Sequence, residues 1–114
     1  MNSILQKDKT KCFRCGSYVF LEEHHIFGGK ANRSKSEKYG LKVYLCHNCH
    51  NRDKKHKSIH FDKEEMLKLH KIGEQAFIDH YKKTKEDFRN IFGRNYLWLK
   101  MIILEKNVIT LINL

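Results

Sequence analysis

Apolar residues gather in short clusters before residue 60 and fall at helical spacing after it. Ser17-Tyr18-Val19-Phe20-Leu21 and Lys42-Val43-Tyr44-Leu45 are rich in aromatic and branched side chains, so two short strands are predicted there. Residues 28–38 between them are small, polar and basic, which is loop composition. Further on, Met66, Leu69, Ile72, Gly73, Ala76, Phe77 and Tyr81 share one helical face. Such a stripe belongs to a core rather than to a cofactor pocket. Asp62 is placed to cap this amphipathic helix, with Glu65 three residues on completing a capping box. Thr84 and Asp87 open a second, shorter helix that Gly93 ends.

The two ends of the chain differ. Residues 1–11 are polar and lysine-bearing and predict a flexible leader, without the apolar stretch of a signal peptide. Residues 97–114 are rich in Leu, Ile and Val, but Lys100, Glu105 and Lys106 argue against a membrane span. That extension is expected to pack on the domain, on a second copy or on a protein partner. With no proline, repeat or linker between them, residues 12–96 read as one domain.

A chain of 114 residues with 40% hydrophobic content buries only a modest core, so a stabilising clip is expected. Cys12/Cys15 and Cys46/Cys49 supply it as two Cys-x-x-Cys knuckles. Disulfides would require a secreted domain, whereas paired knuckles in a reducing, cytoplasmic setting point to a structural zinc held by four sulfurs. Net charge is +10, and residues 1–60 carry 13 Lys/Arg against 5 Asp/Glu, leaving +8 of it there. The positive field therefore covers the knuckles, as nucleic-acid binding requires. Arg33, Lys35, Lys38, Arg52, Lys54, Lys55 and Lys57 are the candidate phosphate contacts.

Between the knuckles stands His24-His25. Neighbours on an extended segment point to opposite sides, so a division of labour is natural: one ring holds an ion and the other handles a proton. Histidine suits the second task because its unperturbed pKa of about 6.5 leaves much of it neutral near pH 7. Further ligands are expected beyond the second knuckle, first at His50, at the start of a short helix, and then at His60. His47 and His56 are weaker candidates, and His70 and His80 read as structural or solvent-facing. Histidine ligation suits Zn2+, Ni2+ or Mn2+ at least as well as Mg2+.

The order knuckle, strand, His-His-Ile, basic segment, strand, Leu-Cys-x-x-Cys-His resembles the HNH endonucleases, the ββα-metal nucleases, in the branch with a cysteine quartet. His24-His25-Ile26-Phe27-Gly28-Gly29, Ser36-Glu37-Lys38-Tyr39-Gly40-Leu41, Val43-Tyr44-Leu45-Cys46 and Ile59-His60-Phe61 are similar to small HNH proteins of phages and prophages. The resemblance spans residues 12–96. It implies an α+β fold, a zinc-stapled ββα-metal core followed by an amphipathic helix and a short C-terminal helix. It also implies DNA, or RNA, cleavage in a bacterial host cytoplasm, with His25 as general base and His24, His50 and His60 on a catalytic ion. One departure stands out: Leu41 lies near the place where many HNH enzymes carry an asparagine that orients the base, and the nearest asparagine upstream is Asn32. The alternative function is a non-catalytic zinc module of the same fold that binds nucleic acid or a protein.

Overall fold

The computed structural model describes residues 1–97. The expectations for the extension from residue 98 onward lie outside the described residues. The fold is α+β. Strand β1, Leu21–His25, pairs antiparallel with β2, Lys42–Cys46, in a register that sets His24 opposite Val43 and His25 opposite Lys42. Helix α1, Asn32–Tyr39, joins the two strands, and α2, His47–His50, follows β2 without a break. A 3-10 turn at Ile59–Phe61 leads into α3, Lys63–Tyr81, and then α4, Lys85–Phe92. None of the described helices is long and apolar enough to cross a membrane.

Several expectations change. The first strand begins where the β-prone run ends, because Phe20 takes a left-handed φ of 52° and turns the chain. Tyr18, Val19 and Phe20 are left exposed, while the histidine doublet becomes part of β1. The expected loop over 28–38 is largely α1, stopped by Gly40 at φ 69°. That helix carries no amphipathic stripe to betray it. Instead it is latched by Ser36, fully buried, whose hydroxyl accepts from the Phe27 amide (3.0 Å) and donates to the Phe27 carbonyl (2.9 Å). The expected loose leader is laid along the outer edge of β2: the Ile4 amide donates to the Gly40 carbonyl at 2.9 Å, and the Gln6 side-chain oxygen accepts from the Tyr44 amide at 2.8 Å.

Helix α3 starts as expected, with the Asp62 carboxylate accepting from the Glu64 and Glu65 amides at 3.0 and 3.1 Å. The box is not closed, because the Glu65 carboxylate turns to Arg14 at 3.0 Å and so ties the helix to the first knuckle. The α4 box is closed by Thr84 and Asp87, and Gly93 ends the helix in a left-handed conformation. Leu69, Gly73 and Phe77 bury one line of α3, whereas Ile72 lies 45% exposed at the margin. The core gathers around Phe27, whose ring meets Phe88 and Phe92 at centroid distances of 5.1 and 4.9 Å. Glu74, fully buried, accepts from the Leu97 amide and the Asn95 side chain and so anchors the chain after α4.

Gly73 lets α3 approach Ile26 and Phe27 closely. A Cβ there would meet Ile26 Cγ2 at 2.8 Å and the Phe27 ring at 3.0 Å. Both are core side chains with little room to give. Gly73→Ala is therefore expected to destabilise the domain by about 1–3 kcal/mol, although alanine is the better helix former by ~1 kcal/mol in exposed positions. A fall in the urea midpoint of the metal-loaded protein checks this; a rise shows that β1 and its exit yield easily to α3.

Candidate metal and active site

The knuckles close on each other. Cys12 and Cys15 lie before β1, Cys46 ends β2, and Cys49 sits in α2, so hydrogen bonding of the sheet brings both pairs to one end. The Phe13 amide donates to the Tyr44 carbonyl (2.8 Å) and the His47 amide to the Phe20 carbonyl (3.1 Å), clasping the two segments. The sulfurs of Cys15 and Cys46 stand 3.6 Å apart, and all four lie within 4.8 Å of one another. None is in a disulfide. Burial raises the Cys12 thiol, but amide groups donating to its sulfur outweigh this and bring it down to about 7. Four convergent thiols, one of them predisposed to ionise, can hold a tetrahedral metal such as zinc.

On the histidine doublet, alternation along β1 does what the sequence suggests. Glu22 and His24 share one face, and Glu23 and His25 share the other. On the first face His24 Nδ1 lies 3.2 Å from His50 Nε2, which lies 3.0 Å from His60 Nε2. His50 is the last residue of α2 rather than its start, and His60 is carried by the 3-10 turn. The intervening basic loop is held by Ser58, fully buried, whose hydroxyl donates to the Asn48 carbonyl at 2.6 Å.

Three imidazole nitrogens this close can take one cation between them. Burial, reinforced by the neighbouring His50 and His60, pushes His24 down to about 3, and burial lowers His60 as well. Both rings are thereby kept neutral, with lone pairs available. Behind His50, the Glu22 carboxylate accepts from Nδ1 at 2.7 Å, leaving Nε2 with its lone pair directed at the other two rings. This carboxylate–imidazole pairing is the usual support of a metal-bound histidine.

On the other face His25 Nε2 donates to Glu37 at 2.9 Å, and Lys42 Nζ lies 2.9 Å from the same oxygen and 3.0 Å from Glu23. A cleft of about 350 Å³ runs round the end of β1 and is lined by His24, His25, Gly28, Asn32, His60 and His70, among others. Both members of the doublet thus reach one space. His70 is half-buried, stacked on Phe27 at 5.2 Å, and His80 is exposed against Tyr81. His47 leans on Glu22, and His56 pairs with Asp53 at 2.7 Å, away from the three-ring cluster.

The candidate phosphate contacts divide. Arg33, Lys38, Arg52, Lys54, Lys55 and Lys57 are exposed. Lys35 instead donates to the Ile91 carbonyl at 2.6 Å and braces α1 against α4. Glu22, Glu37 and Lys42 were not singled out from the sequence. Strand alternation could have found Glu22, since it precedes His24 by two; nothing in the loop-like composition around Glu37 marked it.

The Glu37 carboxyl is held down to about 2, first by His25 and then by the amino group of Met1 and by Lys42. Its folded value lies below the ordinary 4.5, so its stabilisation is present above pH ~4.5 and fades as pH falls toward ~2. Glu37→Gln should accordingly be less stable than the parent at pH 6, with the gap in thermal midpoint narrowing below pH ~4.5. A gap that stays constant down to pH ~3 shows that the carboxylate charge contributes nothing.

No family model, curated protein or solved structure matches this chain.

Proposed function

We propose that this protein is a metal-dependent endonuclease of the HNH type. The reading rests on one observation: His24, His50 and His60 converge from three separate elements while His25 opens into the same cleft, beside a four-thiol cage. The resemblance in the residues around His24-His25 and Cys46-His50 supports it, as does the basic surface on α1 and on the loop after α2. In this reading Cys12, Cys15, Cys46 and Cys49 hold a structural zinc, and His24, His50 and His60 hold a second divalent ion. That ion, when bound, neutralises charge on the phosphate and on the departing oxygen. His25 takes a proton from a water whose oxygen bonds to phosphorus, and the ester P–O bond opposite breaks. Arg33, Lys38, Arg52, Lys54, Lys55 and Lys57 hold the backbone without reading its sequence.

The test is incubation of the zinc-loaded protein with supercoiled plasmid and Mn2+, Mg2+, Ni2+ or added Zn2+. Nicked or linear product with at least one ion is expected, and intact plasmid with all four contradicts the reading. A second reading is favoured by Leu41, which is fully buried where many HNH enzymes place a polar residue, and by the exposed run Tyr18-Val19-Phe20. It makes the protein a binding module of the same architecture, and it predicts retention of DNA by the protein with no strand breakage.

A further inference from the structure

We propose that Glu37 is the positioning residue of His25, and that it makes Nδ1 the nitrogen through which His25 acts. The inference rests on the endonuclease reading for the purpose of the proton transfer, but not for the hydrogen bond itself. A carboxylate only accepts, so the 2.9 Å contact with Glu37 requires the hydrogen to sit on Nε2. A neutral ring with Nε2–H has its lone pair on Nδ1. That atom is buried and has no hydrogen-bond partner among the described residues. An unpaired buried acceptor is costly unless something absent from the bare fold, such as the water to be deprotonated, completes it.

Glu23, His25 and Glu37 lie close enough to suggest a metal site of their own. Lys42 argues against that. Its side chain is 7% exposed, and its ammonium already lies 2.9 and 3.1 Å from the two Glu37 oxygens and 3.0 Å from Glu23. A second cation at that position would face a fixed positive charge. With the ammonium in place, the carboxylate is charge-compensated and fixed, as a group that orients an imidazole must be. The fold fixes it a second time: Ser36, next to Glu37, latches α1 to Phe27, two residues beyond His25 in the chain. That latch holds the segment carrying Glu37 against the segment that follows His25. In a chain with Leu41 near the sequence position where many HNH enzymes carry an orienting asparagine, Glu37 is a polar group that does contact the His25 ring.

The experiment compares the parent with Glu37→Ala and Glu37→Gln, each checked for zinc content and circular dichroism. Long-range proton–nitrogen NMR of the His25 ring should show a single Nε2–H tautomer in the parent and in Glu37→Gln, whose amide oxygen still accepts. Glu37→Ala should show a mixture. In plasmid cleavage, Glu37→Ala should lose about 10–100-fold in kcat with KM little changed, and Glu37→Gln should recover most of that loss. An Nδ1–H tautomer in the parent overturns the proposal, as does a Glu37→Ala variant that keeps its kcat. If the parent cuts no DNA, the endonuclease reading falls by itself, and the tautomer still decides whether Glu37 sets the ring.

Discussion

Chelating the metal proposed for the four-cysteine cage, under reducing conditions, is expected to erase the cooperative unfolding transition of the sheet-bearing half of the domain. The sheet consists of two five-residue strands. Such a pair is marginal alone in water. One of its ends is fixed by the knuckles, since Cys12 and Cys15 precede β1 and Cys46 closes β2 opposite Leu21. Without a cation, burial and the neighbouring thiols of Cys46 and Cys15 push the Cys49 thiol up, so the cluster cannot ionise fully. With one, the four thiolates share a single positive centre. Structural zinc binding is worth about 10–16 kcal/mol in small domains, comparable with the entire stability of about 5–15 kcal/mol typical of a folded protein. Cys46→Ser should behave like the chelated parent, and re-addition of one zinc equivalent should restore only the parent. The readouts are the dispersion of amide NMR signals from β1, β2 and α2 and the thermal transition. A metal-free, reduced protein that melts within a few degrees of the loaded form shows that the apolar core suffices and that the cage is no clip.

What the sequence revealed followed from how local each signal is. The α4 box and its glycine stop are decided within ten residues, so Thr84, Asp87 and Gly93 were readable in full. The start of α3 was readable at Asp62, but Glu65 was drawn off by Arg14, a partner 51 residues away. Helix α1 was missed for the same reason: it is held by Ser36 against Phe27 and by Lys35 against Ile91 rather than by an apolar stripe. In the site, spacing brought the cysteines, the His24-His25 doublet, His50 and His60 into consideration, the resemblance implied that His24 is the ligand, and the fold does bring the cysteines together and His24 to His50 and His60. The carboxylates behind them were hidden because an acid on a basic chain looks like any solvated charge. Alternation along β1 puts Glu22 on the face of His24, but only the folded chain shows that it meets His50 and that Lys42 bridges Glu23 and Glu37.

His25→Ala is expected to reduce DNA cleavage by about 10²–10⁴-fold, the range a positioned general base supplies. The change should leave zinc content and fold intact, because His25 stands opposite Lys42 at the end of the sheet away from Cys46, and Lys42 still compensates Glu37. The argument sharpens when His25→Ala is set beside His50→Ala. Losing His50 removes one of three convergent nitrogens and leaves the Glu22 carboxylate only its 3.3 Å contact with His47, which lowers affinity for the ion. Cleavage by His50→Ala should therefore recover in part as the ion concentration is raised. No amount of ion replaces a missing proton acceptor, so His25→Ala should stay flat over the same titration. DNA retention at moderate salt should be unchanged in both, since the exposed lysines and arginines proposed to hold phosphate lie elsewhere. The measurement is the initial nicking rate across an ion series, with binding followed in parallel by gel shift of the zinc-loaded protein without the added divalent ion. If His25→Ala recovers with added ion while His24→Ala does not, the ligand and the base have been assigned to the wrong members of the doublet. If His25→Ala cuts as fast as the parent at every ion concentration, the imidazole on the Glu37 side of β1 takes no part in cleavage.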